Sequence, residues 1–416
     1  MNNIQQLIQQ LCPNGVEYKR LGDIGTFYGG LSGKSKKDFN NKGNAKYITY
    51  MNVYKNPAVN LDIAERVNVA KEEHQHVVEY GDILFTCSSE TPEECGFSSV
   101  VTTQLDEEVY YLNSFCFGFR LNDATIYIPD FLKHLFRGNA LRKAINKTAS
   151  GVTRYNVSKA RFAKLLIPLP PLPVQRAIAA VLDRFTQLET ELETELQCRK
   201  KQYEYYRDSL LNFDNDNVQW VKLGDIGTFT RGNGLQKKDF TPTGVGCIHY
   251  GQIHTHYGTA TTETISCCSP DLARKLRKAH KGDLIIATTS EDVKDVCKAV
   301  VWLGDEEIVI GGHSCVFSHN QNPKYIAYFF QTEAFYQQKK KYAKGVKVIE
   351  VKISELANTL IPLPSLSVQR RIVGILDRFE ALTTSISEGL PAEIDARRRQ
   401  YEYYRDRLLT FKRKEQ

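Results

Sequence analysis

Apolar residues recur at steps of three and four along two long stretches of the chain, which predicts two long helices, each with one apolar face. The first stretch runs from Val174 to Phe213 and contains neither glycine nor proline. At 1.5 Å per residue, it predicts a helix about 60 Å long. The second stretch runs from Val368 to Leu408. Proline-rich segments precede both stretches and disfavour helical backbone, so we expect the helices to begin near Val174 and Val368.

Gly389 and Pro391 fall inside the second stretch. Both residue types weaken a helix interior, so we expect a kink or a restart at this point. Charged residues cover the remaining faces of both stretches, and each apolar face needs a partner. The two helices therefore predict an antiparallel pair within the molecule.

The helices belong to an internal repeat that divides the chain into two similar halves. Leu166–Leu188 and Leu360–Leu382 are identical at 15 of 23 aligned positions, and Gln202–Asp208 returns unchanged as Gln400–Asp406. A near-identical repeat at this distance determines the architecture before any local pattern does.

The segments that precede the long helices are also similar to each other. Leu21–Phe27 returns as Leu223–Phe229. Short apolar strands and helices that begin at proline follow in both halves, which predicts mixed α+β domains. A short helix over Ile4–Leu11 stands where the end of the first long helix stands before the second repeat. We therefore expect the two chain ends to meet beside the second long helix.

These patterns predict an α+β fold in which two similar domains are separated by two long antiparallel helices, related by a pseudo-two-fold internal repeat. The predicted segments are a first domain with its short N-terminal helix (1–165), a central helix (166–213), a second domain (214–359) and a C-terminal helix (360–416).

Composition limits the classes of protein that this chain can belong to. No apolar run reaches the roughly 18 residues that a membrane span needs, and the N-terminus lacks the pattern of a secretory signal. The ten cysteines form no CxxC pair, which favours a reducing cytoplasm over a disulfide framework. The net charge of +7 permits a polyanionic partner.

Catalytic and metal motifs are incomplete. The glycine-rich segment at 29–35 resembles a phosphate-binding loop, but Tyr28 stands where that motif needs glycine. Cys247, His249, His254 and His256 cluster without the usual zinc spacing, and Thr49 corresponds to His249 in the other half. The chain also lacks an adenine-methyltransferase motif and a nuclease carboxylate pattern. We therefore predict a non-enzyme with no catalytic residues, no metal and no cofactor.

Polar turns and basic loops at matching positions of both halves predict contacts with double-stranded DNA. Lysine and arginine neutralise phosphates, while amide, hydroxyl, guanidinium and carboxylate groups pair with base edges in the major groove. Any one of these residues also suits an ordinary solvated loop, but their recurrence in both halves favours a site. The candidate DNA-binding residues are Lys36, Lys37, Thr49, Tyr50, Asn52, Ser88, Ser89, Glu90, Arg154, Tyr155, Lys237, Lys238, His249, Tyr250, Gln252, Thr288, Thr289, Ser290, Glu291, Lys344 and Lys347.

The proline-rich segments that end in Gln175-Arg176 and Gln369-Arg370, the two Gln-Tyr-Glu-Tyr-Tyr-Arg-Asp helices and the paired Leu-Gly-Asp-Ile-Gly openings resemble the specificity (S) subunit of type I restriction–modification systems. The resemblance covers essentially the whole chain. It implies two target-recognition domains, each of which reads one half of a split, asymmetric DNA target. It also implies that the helices set the spacer between the half-sites and dock two methyltransferase (M) subunits, with restriction/translocase (R) subunits for cleavage.

The resemblance further implies that methylation and cleavage occur on the partner subunits. It does not supply a fixed set of base-reading residues, so the candidate residues depend on the alignment of the two halves. One alternative is a helical-hairpin adaptor that binds proteins and has no DNA specificity. Another is a fused enzyme fragment that has lost its catalytic part.

Overall fold

The computed structural model describes residues 2–105, 107–213, 218–385 and 387–415. The chain divides into two compact units. Unit 1 contains residues 1–192 together with 394–416, and unit 2 contains residues 193–393. Unit 1 is therefore built from both ends of the chain, whereas unit 2 is continuous.

The helices follow the proline and apolar patterns of the sequence. In chain order they are α1 (Asn2–Leu11), α2 (Leu21–Ile24), α3 (Tyr50–Lys55), α4 (Pro129–Leu135), α5 (Asn139–Asn146), α6 (Lys159–Phe162), α7 (Leu172–Leu210), α8 (Leu223–Ile226), α9 (Tyr250–Thr255), α10 (Pro270–Ala273), α11 (Pro323–Phe329), α12 (Glu333–Tyr342), α13 (Ile353–Ala357), α14 (Leu366–Thr384) and α15 (Leu390–Leu408).

The strands are short, as the turn-rich segments between apolar runs require. In chain order they are β1 (Glu17–Arg20), β2 (Gly25–Gly29), β3 (Ala45–Ile48), β4 (Glu65–Val67), β5 (Ile83–Thr86), β6 (Ser88–Ser89), β7 (Ser98–Val100), β8 (Tyr110–Leu112), β9 (Cys116–Leu121), β10 (Ala149–Ser150), β11 (Tyr155–Val157), β12 (Leu166–Leu169), β13 (Trp220–Lys222), β14 (Gly227–Arg231), β15 (Phe240–Thr241), β16 (Val245–Ile248), β17 (Ala260–Thr261), β18 (Ser266–Cys268), β19 (Arg277–Ala279), β20 (Leu284–Ala287), β21 (Thr289–Ser290), β22 (Ala299–Trp302), β23 (Ile308–Ile310), β24 (Ser314–His319), β25 (Ile349–Glu350) and β26 (Leu360–Pro362).

The sheets of the two units follow one plan. Unit 1 has an antiparallel sheet β2-β9-β5-β7 and a second sheet β4-β3-β8, in which β3 and β8 are parallel. Unit 2 repeats these orders as β14-β24-β20-β22 and β18-β16-β23, and adds edge strands to both sheets. The strand that opens each domain pairs with the strand before its long helix, β1 with β12 and β13 with β26. The prediction of two similar α+β domains is confirmed.

Aromatic side chains fill the cores, and the long helices contribute to both of them. In unit 1, Phe85, Phe117 and Phe162 are buried with Leu182 of α7 and Leu408 of α15. Unit 2 has an equivalent core beside α14, whose buried residues include Tyr328, Phe329, Phe335, Ile372 and Leu376. Each domain is thus completed by helical segments from outside the predicted domain bounds.

The helix boundaries agree with the predicted pattern and differ in detail. α7 and α14 begin at Leu172 and Leu366, two residues before the expected starts. Pro173 is tolerated there because the first turn of a helix has no acceptors for its N–H groups. The restart around Gly389 and Pro391 is confirmed, since α14 ends at Thr384 and α15 begins at Leu390.

Within unit 1, α7 and α15 run antiparallel. The rings of Phe185 and Tyr404 stack with centroids 5.5 Å apart. One helical turn further along α7, Glu189 forms an ion pair with Arg398, with 2.7 Å between Oε1 and Nη2. Arg398 lies before Tyr404 in the sequence of α15. The residue number rises along α7 in the direction in which it falls along α15, so the two helices are antiparallel.

The two chain ends meet within unit 1, as the repeat predicts. The N–H of Val16 donates to the carbonyl of Lys412 at 2.8 Å, and the N–H of Lys414 donates back to Val16 at 2.9 Å. The hydroxyl of Tyr18 donates to the carbonyl of Phe411 at 3.0 Å. Phe213 is the counterpart of Phe411 in unit 2, where it is buried in the core. The C-terminal segment thus completes unit 1 as the end of α7 completes unit 2.

Candidate nucleic-acid interface

A serine- or threonine-rich turn and a hairpin lie side by side in each unit. In unit 1, Ser89 of β6 pairs with Tyr155 of β11. In unit 2, Ser290 of β21 pairs with Ile349 of β25. We call these residues the turn–hairpin surface: 88–90, 115 and 150–156 in unit 1, and 289–291, 313 and 344–350 in unit 2. The structure thus joins candidate residues that are about 60 positions apart in sequence.

The two hairpins have the same closure and the same glycine requirement. Ser150 pairs with Asn156, and the backbones of Lys344 and Glu350 exchange two hydrogen bonds of 3.0 and 2.8 Å. The next residue in each hairpin, Gly151 or Gly345, has a positive φ of 154° or 127°. A Cβ at either glycine would collide with a carbonyl oxygen across the hairpin. The glycines therefore fix the shape of both loops.

Two contacts define the direction of the Arg154 side chain in the unit 1 hairpin. Its side chain is exposed, its Nε–H donates to the hydroxyl of Ser88 at 3.2 Å, and its guanidinium lies 5.6 Å from the ring centre of Phe115. Phe115 is 55% exposed. An arginine held in this way still has N–H groups for a phosphate or for a guanine edge.

The loop at the start of α3 reaches the same surface. The hydroxyl of Tyr50 donates to the carbonyl of Ser88 at 2.8 Å. Thr49 caps the helix, since its hydroxyl accepts the N–H of Asn52 at 3.2 Å. Asn52 is fully buried and bonds through its amide to the backbone of Asn60 at 2.7 and 3.1 Å. Asn52 therefore holds the loop, and the structure gives it no surface on which to meet a base.

In unit 2, His249 is the N-cap of the corresponding helix, α9. Its Nδ1 accepts the N–H of Gly251 at 3.2 Å. Gln252 accepts the N–H of His249 at 2.9 Å and donates to Ser266 at 2.7 Å. The ring of Tyr250 lies 4.5 Å from that of His249. Burial lowers the pKa of His249, and the charge of Lys237 lowers it further, so the imidazole is a neutral cap.

The remaining turn residues are divided between buried and exposed positions. Thr288 and Thr289 are buried, and the carbonyl of Thr289 accepts from His254 at 3.1 Å. The carboxylates of Glu90 and Glu291 are exposed. Within the described ranges, no three His, Cys, Asp or Glu side chains are close enough together to hold a metal ion.

The candidate lysines are exposed, and the described part of the chain offers none of them an ion-pair partner. Lys36 and Lys37 lie in a turn that makes no described contact with the turn–hairpin surface, while Lys237 is close enough to His249 to affect its pKa. These side chains are free to meet phosphate. The lysines in this group are Lys36, Lys37, Lys237, Lys238, Lys344 and Lys347.

The sequence patterns did not point to Phe115, His313, Arg231 or Lys352 as candidate residues. Phe115 lies on the turn–hairpin surface, and His313 at its counterpart in unit 2 is also an exposed ring. Arg231 and Lys352 line a cleft of about 380 Å³ in unit 2. Arg231 corresponds to Gly29 in the other half. That difference between the halves is a sequence pattern that could have drawn attention to Arg231.

Buried cations hold the loop that follows each turn. In unit 1, Arg142 donates to the carbonyls of Gly96 and Cys95 at 2.5 and 2.8 Å, and burial lowers its pKa to about 10. In unit 2, Lys339 donates to the carbonyls of Lys294 and Val296 at 2.6 and 2.7 Å. Both units therefore fix this loop by a cation from the helix beneath it, although the cations come from different positions.

A family model for the type I restriction modification DNA specificity domain matches this chain twice, at residues 13–198 and 215–396. The chain belongs to this family. Each match includes one domain and one copy of the repeated helical segment. Because the family is one of DNA specificity domains, this match does not favour the alternative of an adaptor without DNA specificity.

The chain is also similar to curated type I specificity subunits. The chain is 33% identical over 264 residues to the specificity subunit of the type I restriction enzyme EcoR124I/EcoR124II of Escherichia coli, a match that spans 61% of this chain and 64% of that protein. It is 31% identical over 284 residues to a putative type I restriction enzyme specificity subunit of Haemophilus influenzae, which covers 63% of this chain and 68% of the relative.

The fold of the family is also found among solved structures. A chain described under the complex assembly and conformational transition of the type I R-M system superposes with a TM-score of 0.64, at 17% identity, over 95% of this chain and 98% of that chain. At this identity the likeness shows the fold alone. No helix in the described part of the chain has the length and apolar character to cross a membrane.

Proposed function

We propose that this chain is the DNA-recognition subunit of a type I restriction–modification complex, in which each unit reads one half of a bipartite, asymmetric target. The observation that carries the proposal is the turn–hairpin surface. It recurs on the same backbone plan in both units, yet its side chains differ. A shared frame suits a shared duplex geometry, and different side chains suit different bases.

The two surfaces differ in chemistry as well as in sequence. Unit 1 offers the guanidinium of Arg154 against the ring of Phe115. Unit 2 offers the exposed side chains of Lys344 and Lys347 and the exposed ring of His313. Since the two sets of hydrogen-bonding groups are unlike, the half-sites should also be unlike, and the target should not be a palindrome.

The proposed partners are those that the family implies. The domains at 1–165 and 214–359 are the proposed target-recognition domains. The helices at 166–213 and 360–416 are proposed to set the spacer and to dock two methyltransferase subunits, with restriction/translocase subunits for cleavage. In this proposal the specificity subunit is non-catalytic, needs no cofactor and works with its partners in the cytoplasm.

Coexpression of the chain with its methyltransferase partner tests the proposal directly. Genome-wide mapping of methylated adenines should reveal one bipartite sequence that is absent when the chain is omitted. Methylation that is independent of the chain, or a single continuous recognition sequence, would contradict the proposal. A helical-hairpin adaptor would leave the methylation map unchanged.

The purified chain is the matched control for activity. Without its partner it should bind duplex DNA in a salt-dependent manner and should neither methylate nor cut it. Methyl transfer by the isolated chain would show that the catalytic role has been assigned to the wrong subunit.

A further inference from the structure

Each hairpin holds an apolar side chain in solvent at its tip. Val152 is 91% exposed in unit 1, and Val346 is 96% exposed in unit 2. The two residues occupy the same place in their hairpins, immediately after Gly151 and Gly345. The repeat has therefore retained the same apolar residue at two nearly fully exposed positions.

The fold gives no reason for a valine at either position. The hairpin shape comes from the positive-φ glycines and from the closing backbone pairs. A side chain that is more than nine-tenths exposed contributes almost no burial, which is the main source of stabilisation by an apolar residue. Gln175 and Gln369, which are also identical in both halves, are by contrast buried and bond to backbone. The exposed valines need an explanation outside the chain.

The surroundings of the valines indicate the kind of partner. Arg154 lies in the same loop as Val152, and Lys347 directly follows Val346. Exposed cations around an apolar tip suit a polyanion that also has apolar surface. Duplex DNA has both, because its phosphates enclose stacked base faces.

We propose that Val152 and Val346 enter the duplex and pack against the base stack, one in each half-site. The contact is independent of sequence, because the valine is the same in both units while the groups proposed to read bases differ. Apolar side chains that pack between base steps unstack them locally. The proposal rests on the proposed DNA-recognition function and adds to it a contact that deforms the target.

The test uses the full chain in complex with its methyltransferase partner and duplexes that contain the methylated sequence. The adenine analogue 2-aminopurine, whose fluorescence rises when it is unstacked, is placed at successive positions of each half-site. The variants are Val152→Ser and Val346→Ser. Matched controls are Val109→Ser and Ile265→Ser, which change exposed apolar residues outside the hairpin segments. Val152→Ile tests rescue by another apolar side chain.

The wild-type complex should show increased fluorescence within both half-sites. Val152→Ser should lose most of the increase in the half-site of unit 1 only, and Val346→Ser in that of unit 2 only. Each should weaken DNA binding about tenfold, which corresponds to the lower end of the free energy gained when a valine side chain is buried. The controls and Val152→Ile should behave like the wild type.

Unchanged fluorescence and affinity in both serine variants would overturn the inference while leaving sequence recognition intact. Loss of methyltransferase binding by gel filtration, with unstacking preserved, would show that the valines dock protein and would also overturn it. Failure of the wild-type complex to bind the duplex would contradict the proposed function itself. Circular dichroism of each variant separates these outcomes from a loss of folding.

Discussion

Arg154 is held by Ser88 and Phe115, yet it remains exposed. We predict that Arg154→Ala weakens binding by about 1–3 kcal/mol and relaxes the preference at one position of the unit 1 half-site, because the proposed bidentate contact with a base would be lost. Arg154→Lys should not restore the preference, since an ammonium lacks the planar fork. Methylation maps of both variants would show the effect.

The expected effect of Lys36 is on affinity for any DNA sequence, whereas that of Arg154 is on sequence preference. If Lys36 contacts phosphate, Lys36→Ala should weaken binding to all sequences alike and reduce the salt slope by about one unit. A loss of preference in Lys36→Ala, or none in Arg154→Ala, would move base recognition away from the hairpin.

His134 is a buried residue whose protonation should affect stability. Its Nε2–H donates to Asp183 at 2.7 Å, and its Nδ1 accepts from the hydroxyl of Tyr401 at 2.9 Å. Burial is the largest of the effects that lower the pKa of His134, and the charge of Lys133 lowers it further. Asp183 and Asp130 raise the pKa, but they do not cancel the lowering. Burial also works to raise the pKa of Asp183, but hydrogen bonds from His134 and Lys133 outweigh it.

Because the folded-state pKa of His134 lies below its unfolded value of about 6.5, the neutral ring stabilises unit 1 fully above that pH. The stabilisation should be lost as pH falls through the lower folded-state pKa. Tyr328 occupies the equivalent position in unit 2, where it donates to Asp377 at 2.6 Å. We predict that His134→Tyr flattens the fall in melting temperature between about pH 7.5 and 5. An equal fall in both proteins would assign it to other histidines.

The residue types of the candidate site can be read from the sequence, but the direction of their side chains cannot. Thr49, Asn52, His249 and Gln252 have the polar groups of base-reading residues, but all four cap or brace a short helix. Capping uses the same hydrogen-bonding groups as base recognition does. Only the three-dimensional structure distinguishes the two uses, as the full burial of Asn52 shows.

The tandem Glu-Thr-Glu-Leu segment in α7 should control the spacer of the target. Its two copies are 189–192 and 193–196, and the division between the units falls between them. In this described helix, no residue beyond Leu182 is buried, so its middle can change length without opening a core. Four residues add about 6 Å and about 40° of net rotation, while one base pair adds about 3.4 Å and about 34°.

We therefore predict that a third copy inserted after Leu196 preserves both half-sites and widens the unread spacer by one base pair. Deletion of one copy should narrow it by one. Methylation sites mapped in both variants would measure the change. A fully active variant with an unchanged spacer would show that α7 does not set the separation.

The elements themselves were largely predictable, because amphipathic spacing, proline and glycine act locally. The break between α14 and α15 follows from Gly389 and Pro391, and the common frame follows from the repeat. The pairing of β6 with β11 was not predictable, since each strand is only a few residues long and its partner lies far away in sequence. The alignment of the halves supplied matching segments, but it gave no register.

The repeat predicts that the domains exchange as independent modules. Replacement of residues 12–165 by the matching domain of another family member should change one half of the target and leave the other half unaltered. The graft must supply a partner for Tyr401, which bonds to His134 from the retained C-terminal helix. Methylation mapping would test the exchange, and a change in both halves would show that the domains do not read independently.

The discontinuous build of unit 1 has a consequence for the order of folding during synthesis. Its core contains Tyr401, Leu408, Leu409 and Phe411, which are translated after the whole of unit 2. Unit 2 is continuous and ends at residue 393. Domains usually fold as they emerge, with the N-terminal domain first, but here the second unit can be complete while the first still lacks a wall of its core. Synthesis that stops between residues 393 and 401 would therefore leave one finished unit and one unfinished unit.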